Sequence, residues 1–244
     1  MEFRFVHFYP DLMSLYGSYA NLSVLQRLLE QLGHTVTVTP LAPGETASLA
    51  GADLLFYGRR APSAARRPPW SPWPPWPARS APPQPTGCRC FFAGTAMELL
   101  GAAITDSSGA SFDGIGLADF TSVQGTHRFV EDVYGTTNLY PEAVVGFMNK
   151  CSVIHGVQTP LLTSLAMGFG NEGPCGSEGF HQANVFASEL TGPLLVKNPR
   201  MLETIASVLL SRRGAELPSP FPRDPVAQEA YTVTEHQLQL RCRA

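Results

Sequence analysis

The stretch Cys-Phe-Phe-Ala-Gly-Thr-Ala-Met-Glu-Leu-Leu-Gly, residues 90–101, decides the fold. An apolar run that ends at Ala93 meets a turn of small residues, 94–96, and then a run of helix-forming residues, 97–100. This order predicts a strand, a tight turn and a helix. In a nucleophile elbow, the residue at such a turn is held in a strained conformation over the sheet edge, beside a helix N-terminus. Gly94 takes that position here, and it has no side chain.

Composition narrows the class of protein. The chain has 244 residues, of which 44% are hydrophobic, so it can bury a core as a single domain. Its formal net charge of −3 gives no reason to expect a nucleic-acid partner. No apolar stretch approaches the roughly 20 residues of a membrane span, and the N-terminus lacks a basic and then apolar signal. We therefore expect a cytoplasmic protein without a membrane span.

The first third of the chain follows an α/β pattern. Apolar runs predict strands at Phe3–Phe8, Thr35–Thr39 and Asp53–Tyr57, and leucines at helical spacing predict a helix at Ala20–Leu32, with Gly33 as its C-cap. Strand, helix, strand and strand at this spacing predict a single α/β domain with a mostly parallel open sheet flanked by helices.

The second half supplies further elements and a tail. We predict strands at 116–123, 128–134, 143–147 and 184–190, and an amphipathic helix at 200–213. The domain is therefore expected to span residues 1–213. Residues 214–244 form a C-terminal tail, in which 226–240 could make one peripheral helix or stay loose.

Residues 59–89 interrupt the pattern. Of the 22 prolines, 10 lie between Ala61 and Gly87, together with all three tryptophans and no lysine or acidic residue. No helix longer than a turn is expected there, because each interior proline removes a hydrogen bond and clashes with the preceding turn. One explanation is a polyproline II segment that offers Trp and Arg to a partner. The other is an out-of-frame stretch of GC-rich coding, since the chain has two lysines against 15 arginines.

Five blocks of sequence, in order along about 200 residues, carry a family resemblance; they are 7–17 with Asn21, 96–101, 145–149, 168–179 and 192–199. Through them the chain resembles the class I glutamine amidotransferases, in the cobyric-acid-synthase-like (CobB/CobQ-like) branch. The resemblance implies a flavodoxin-like open sheet and glutamine hydrolysis without a cofactor or metal. It also implies a partner, a Mur-ligase-like synthetase that uses the released ammonia and ATP to amidate the D-glutamate of the lipid II stem peptide.

Both catalytic positions of the family are replaced. Active relatives have Cys-Gly-Gly at the elbow and Leu-His-Gly-Pro-Leu-Leu near the C-terminus, where this chain has Gly94 and Thr191. The reaction needs a thiolate that forms a thioester and an imidazole that activates it, and neither residue can do this. In the family, a Gly-rich turn after the third strand supplies backbone N–H groups to the oxyanion. This chain keeps Gly58 at that turn, and Arg59 and Arg60 follow it. The resemblance therefore implies a degenerate site, whose smallest repair would be Gly94→Cys with Thr191→His.

The resemblance also points to residues that would bind substrate. Arg128 matches a family arginine near the cleft and could hold a carboxylate in a bidentate manner, or it could be a solvated surface charge. Gly58 and Asn149 lie in turns that the family places at the mouth of the site, where Asn149 could equally serve turn formation. Glu98 is expected to favour the helix dipole from the first turn of the elbow helix.

Two substitutes for the lost catalytic groups remain open. Cys151 or Cys175 could act as a relocated nucleophile, although a buried or loop thiol is the commoner state of a free cysteine. His181, three residues before the last predicted strand, is a weak candidate for a substitute base. The five cysteines are irregularly spaced, and they indicate neither a zinc site nor a disulfide framework.

Three functions are consistent with these observations. The first is a degenerate amidotransferase subunit that keeps its binding to the ligase. The second is an active glutaminase with a relocated nucleophile. The third is a non-catalytic module that binds glutamine or a peptidoglycan precursor.

Overall fold

Two sheets form the framework of the computed structural model, which describes residues 1–45, 48–59 and 89–243. The predicted irregular excursion at 61–87 lies outside the described residues, as do Arg60 and Cys88. The described strands are β1 (Glu2–Phe8), β2 (Thr35–Leu41), β3 (Leu54–Tyr57), β4 (Arg89–Ala93), β5 (Ala103–Thr105), β6 (Ser111–Asp113), β7 (Thr121–Thr136), β8 (Val144–His155), β9 (Ser164–Met167), β10 (Phe180–Gln182) and β11 (Val185–Ser188). The α-helices are α1 (Ala20–Gln31), α2 (Leu194–Lys197), α3 (Pro199–Arg212) and α4 (Pro225–Arg243).

The first sheet has the strand order β10-β11-β4-β3-β1-β2 and is parallel except for the antiparallel pair of β10 and β11. Its central strands are apolar on both faces, as strands covered from both sides must be. One face packs against α1 and α3 in a core that includes Phe5, Phe56 and Phe91. The other face carries Phe8, Tyr57 and other apolar side chains. This sheet confirms the parallel α/β framework predicted from the first third of the chain.

Stacked aromatic rings support the sheet at the carboxyl ends of its strands. The ring of Tyr57 lies between those of Phe8 and Phe92, at centroid distances of 4.2 and 4.5 Å and interplanar angles of 9° and 3°. All three side chains are at most 1% exposed. The residues that follow these strands are therefore held on a rigid base, at the edge where open α/β sheets bind their ligands.

The second sheet corrects the expectation of a mostly parallel architecture. Its order is β6-β5-β7-β8, with β9 pairing β7, and only β5 and β7 are parallel. The two strands predicted at 116–123 and 128–134 are one strand, β7, which begins at Thr121 and carries an irregularity between Gln124 and Phe129. The molecule is thus an α/β domain with a parallel and a mixed sheet flanked by helices.

Two helices have a glycine at one boundary, and their bounds can be compared with the predicted ones. α1 ends before Gly33, which has φ of +81° and donates its N–H to Glu30 O at 3.0 Å, as predicted for a glycine C-cap. The helix after the elbow is a 3₁₀ helix, Gly94–Leu100, which we call the elbow helix. It begins three residues earlier than the predicted helical run.

The C-terminal tail contains a docked helix. α4 packs through Tyr231 and Leu238 against Val145 of the second sheet. The Tyr231 hydroxyl also donates a hydrogen bond to Ala143 O at 2.8 Å. Of the two alternatives for this region, the helix is therefore observed. Within the described ranges, no helix has the length and apolarity that a membrane crossing requires.

Candidate functional site

The elbow has the backbone geometry that its sequence predicts. Gly94 follows β4 directly and has φ of +64°, a left-handed conformation that L side chains rarely adopt. β4 lies between β3 and β11 in the first sheet, so the turn projects from the middle of the carboxyl edge. This is the place at which a nucleophile elbow presents its side chain.

The side chain of Arg59 occupies the space above Gly94. A Cβ atom built on Gly94 would lie 2.9 Å from both Cβ and Cγ of Arg59, and 3.2 Å from its Cδ. Contacts under 3.0 Å are closer than carbon atoms tolerate, so a side chain at position 94 and the present Arg59 conformation exclude each other. The space that a side chain at position 94 would need is therefore filled by another part of the chain.

The Arg59 guanidinium then extends to the second replaced position. Its Nη1 donates to Thr191 Oγ1 at 2.7 Å, and its Nη2 donates to the backbone oxygen of Asn149. The ring of Tyr16 lies 5.2 Å from the guanidinium carbon, within the range of a cation–π contact. Arg59 is only 3% exposed. One buried side chain thus joins Gly94 and Thr191, the two positions at which the sequence resemblance implies the nucleophile and the base.

Burial affects the charge of this arginine. Desolvation lowers the pKa of Arg59 from its usual value, while the nearby Tyr16, Glu189 and Glu98 act to raise it. An arginine keeps its proton under these conditions, since its unperturbed pKa lies far above neutral pH. A permanent positive charge therefore lies between Gly94 and Thr191.

Gly58 is required by close packing. A Cβ atom there would lie 1.9 Å from Met13 O and 2.7 Å from Ser18 Oγ, so no other residue fits. The next amide, the N–H of Arg59, donates to Ser18 Oγ at 2.9 Å. A donor in the turn that the family uses for the oxyanion is thus occupied by an internal hydrogen bond.

Arg128 and Asn149 meet on the second sheet. Arg128 Nη1 donates to Asn149 Oδ1 at 2.8 Å, and Asn149 Nδ2 donates to Tyr16 Oη at 3.0 Å. Arg128 is exposed and lies within the irregular part of β7, not at a strand start. Asn149 lies inside β8, where it pairs with Val130 of β7, and not in the predicted turn. The structure therefore brings Gly58, Gly94, Arg128, Asn149 and Thr191 into one cluster around Arg59.

Glu98 has a different role from the predicted one. Because the elbow helix begins at Gly94, Glu98 is its fifth residue and does not lie in the first turn. Its carboxylate is 2% exposed and accepts a hydrogen bond from Gln124 Nε2 at 2.6 Å. Glu98 thus joins the elbow helix to the second sheet beneath the cluster.

A buried ionic network lies beside the cluster and was not predicted. Lys150 and Glu189, whose side chains are fully buried, form an ion pair between β8 and the segment after β11. Lys150 Nζ also donates to Gly170 O at 2.8 Å, and Ser152 Oγ donates to Glu189 Oε1 at 2.6 Å. Glu189 precedes Thr191 by two residues, so the pair fixes the strand end from which Thr191 extends.

A second buried carboxyl, Glu178, adjoins this pair. It accepts hydrogen bonds from the backbone N–H of Glu189 at 2.7 Å and from Ser188 Oγ at 2.9 Å. Burial raises the pKa of Glu178 to about 7, although the charge of Lys150 acts in the opposite direction. Two carboxyls beside a single lysine favour the protonated form of one of them.

This carboxyl predicts a pH-dependent stability. An acid whose pKa is raised by folding stabilises the fold fully below its unfolded pKa, near 4.5, and loses that contribution as the pH rises through about 7. Between pH 4.5 and 8, the unfolding free energy of the parent should therefore fall relative to that of Glu178→Gln, by on the order of 1–3 kcal/mol. Urea unfolding at several pH values measures this difference. Glu131→Gln, an exposed position, is the matched control, and equal pH profiles for the parent and Glu178→Gln would contradict the prediction.

The three candidate substitutes for the catalytic groups, Cys151, Cys175 and His181, lie in different environments. Burial raises the pKa of the Cys151 thiol, which disfavours the reactive thiolate. Cys175 is exposed in the loop before β10. His181 lies on β10 at the outer edge of the first sheet, where its ring stacks on Phe186 at 4.4 Å and burial lowers its pKa. Among the described residues, no group of three His, Cys, Asp or Glu side chains could hold a metal ion.

Comparison with known proteins identifies relatives over almost the full chain. No protein-family profile matches it. The chain is 26% identical over 237 residues to a protein of Streptococcus pneumoniae, and 24% identical over 238 residues to one of Staphylococcus aureus. These alignments cover 93% and 94% of this chain, and 88% and 91% of the relatives. Each relative is named the GatD subunit of glutamine-hydrolysing lipid II isoglutaminyl synthase.

Among solved structures, the structure of PurLQS from Thermotoga maritima is similar at a TM-score of 0.46 and 14% sequence identity. This similarity covers 88% of the present chain and 99% of that one. The two curated relatives confirm the resemblance inferred from the five sequence blocks. The protein is thus related to the GatD subunits of lipid II isoglutaminyl synthase.

Proposed function

We propose that the protein is a GatD-like subunit that has lost glutamine hydrolysis and that acts in the cytoplasm with a Mur-ligase-like synthetase in the amidation of lipid II. The observation that carries the proposal is the position of Arg59. Its side chain fills the space over Gly94 and donates a hydrogen bond to Thr191. Because these are the two positions of the family's catalytic groups, the site is both without its reactive groups and closed by a side chain.

The chemistry of the family reaction explains why this arrangement is inactive. A thiolate must attack the glutamine carboxamide, an imidazole must protonate the leaving ammonia, and backbone N–H groups must stabilise the oxyanion. Gly94 and Thr191 remove the first two functions. The third is weakened because the Arg59 N–H already donates to Ser18 Oγ. The elbow between β4 and the elbow helix, on a parallel sheet, supports a fold of the class I glutamine amidotransferase type.

The retained sequence blocks keep the scaffold in shape after the loss of catalysis. Asn21 is fully buried, and its Oδ1 accepts the N–H of Leu195 at 2.8 Å, so the first block supports the turn that begins α2. Asn198 accepts the N–H of Val145 at 2.9 Å and donates to its carbonyl at 2.8 Å. These contacts join three of the five blocks through side chains that catalysis does not require.

Exposed apolar side chains beside the closed site support a role in partner binding. Tyr16 is 49% exposed, Tyr19 is 52% exposed, and Val196 on α2 is 40% exposed. Tyr16 and Gly192 are neighbours, since a Cβ on Gly192 would lie 3.8 Å from Tyr16 O. Tyrosine is enriched in protein interfaces, where its ring supplies apolar area and its hydroxyl a hydrogen bond. We infer that this surface contacts the synthetase.

Association with a synthetase is the prediction that tests this function. Co-expression with a Mur-ligase-like protein encoded nearby should give a complex that elutes as one peak in size-exclusion chromatography. Replacing Tyr19 with Asp should weaken the complex about tenfold or more, since it places a charge in an apolar contact. Val123→Asp, an exposed apolar position on the second sheet, is the control. Elution of the protein as a monomer beside the ligase would contradict the proposal.

A further inference from the structure

Two exposed cysteines lie beside the same backbone oxygen of β9. Cys175 lies in the Gly-rich loop that precedes β10, and Cys242 lies in the last turn of α4. The Sγ atoms of Cys175 and Cys242 are 4.0 and 3.9 Å from the same atom, the backbone oxygen of Ala166. The two sulfur atoms are therefore less than about 8 Å apart, although 66 residues separate them along the chain.

The end of α4 is held at this place by its own contacts. Arg241 forms an ion pair with Asp132 of β7, and Gln239 Nε2 donates to Tyr134 Oη at 3.0 Å. Gln239 and Arg241 both lie in the helical turn that leads to Cys242, and their contacts attach the end of α4 to β7. The position of the Cys242 thiol thus follows from contacts that do not involve a cysteine.

The loop that carries Cys175 is fixed as well. The Cys175 N–H donates to Gly168 O at 3.0 Å, and Phe169 pairs with Pro174 in an antiparallel bridge. The Leu165 N–H donates to Gly176 O at 3.1 Å, which ties the loop to β9 beside Ala166. Both thiols are therefore presented to solvent from anchored segments on the same strand end.

We propose that Cys175 and Cys242 are a reversible modification site, at which a small-molecule disulfide such as oxidised glutathione converts the two thiols into an intramolecular disulfide. The Cys242 thiolate attacks one glutathione sulfur, the glutathione S–S bond breaks, and one glutathione leaves as the thiol. The Cys175 thiolate then attacks Sγ of Cys242 and displaces the second glutathione, so two protein thiols are oxidised while one glutathione disulfide is reduced to two thiols. Rotation about the side-chain bonds of both cysteines and a small shift of the helix end bring the sulfurs to the S–S distance of about 2 Å.

The remaining described cysteines do not compete for this bond. Cys90 is buried in the first sheet, and Cys151 is half-buried on β8. A bond between Cys175 and Cys242 would tie α4 to the Gly-rich loop. Besides the apolar contact at Tyr231 and Leu238 and the polar contacts of Gln239 and Arg241, α4 would then have a covalent attachment that depends on the redox state of the surroundings.

The full-length protein, first reduced and then incubated with oxidised glutathione, tests the proposal. Non-reducing peptide mapping should recover one peptide pair, linked between Cys175 and Cys242, with a mass 2 Da below that of the two thiol peptides. The monomer should be retained in non-reducing gels, and its Tm should stay equal or rise by about 5 °C, because the bond closes a long loop at native positions.

Single variants complete the test. Cys175→Ser and Cys242→Ser should each remove the linked peptide, whereas Cys151→Ser, the matched control on β8, should keep it. The proposal is overturned if the linked peptide is absent from the parent or if it forms only between two chains. It is equally overturned if the bond lowers the Tm, since the two residues would then have to leave their native positions to meet.

Discussion

The purified protein is expected to release ammonia from glutamine no faster than buffer alone. Gly94 cannot form a thioester, Thr191 cannot act as a base at neutral pH, and Arg59 occupies the space between them. Loss of a catalytic nucleophile alone typically lowers the rate by several powers of ten. Ammonia release measured at saturating glutamine, with and without the synthetase partner, tests this expectation.

A series of repaired variants separates the loss of the catalytic groups at positions 94 and 191 from the closure of the site by Arg59. Gly94→Cys with Thr191→His, the smallest repair suggested by the sequence, should stay inactive, because the new side chain at position 94 collides with Arg59. Adding Arg59→Gly removes that collision, so the triple variant should be the first to release ammonia above background. Arg59→Gly alone is the control and should stay inactive. Activity of the double variant with Arg59 in place would show that this side chain does not close the site.

Lys150→Met should destabilise the protein by about 3–5 kcal/mol, because it leaves Glu189 as an unpaired charge in the interior. The Lys150 ammonium is fully buried and supplies hydrogen bonds to both Glu189 and Gly170 O. Chemical denaturation at pH 7 measures the change. Lys197→Met is the matched control, since the other lysine of the chain is exposed on α2, and its effect should stay within about 0.5 kcal/mol.

A double variant tests the cause of this effect. Lys150→Met combined with Glu189→Gln removes the uncompensated charge and should recover part of the lost stability, although Glu189 still serves Ser152 Oγ. An effect of Lys150→Met no larger than that of Lys197→Met would mean that the ion pair does not support the strand end that carries Thr191. An additive double variant would mean that the two charges do not interact.

The first sheet and its helices could be predicted because their signals are local. β1, β3 and β4 are short apolar runs bounded by turn residues, and α1 has leucines at helical spacing followed by Gly33. The second sheet could not be predicted in the same way. β7 contains an irregularity at 124–129 that breaks the alternation of side chains, and its antiparallel pairing with β8 and β9 is decided by contacts distant in sequence.

The sequence indicated which residues lie at the candidate site, but not how the side chain of Arg59 is directed there. Motif order placed Gly94 and Thr191 together, and it also suggested Arg128 and Asn149, which share a hydrogen bond. The direction of the Arg59 side chain depends on Tyr16, Asn149 and Thr191, which lie 43, 90 and 132 residues away, and no local pattern encodes this. The buried pair of Lys150 and Glu189 could not be predicted from local sequence either, since charged residues are expected on the surface unless a partner is known.

A diazoketone analogue of glutamine shows whether any nucleophile serves this site. Such an analogue alkylates the nucleophile of a glutaminase during turnover, and intact-mass spectrometry reports the adduct. The parent protein, alone and with the proposed synthetase partner, should keep its unmodified mass, while the triple variant of Arg59, Gly94 and Thr191 should gain one adduct at position 94. A stoichiometric adduct on the parent, at Cys151 or at any other residue, would contradict the loss of catalysis and identify a relocated nucleophile.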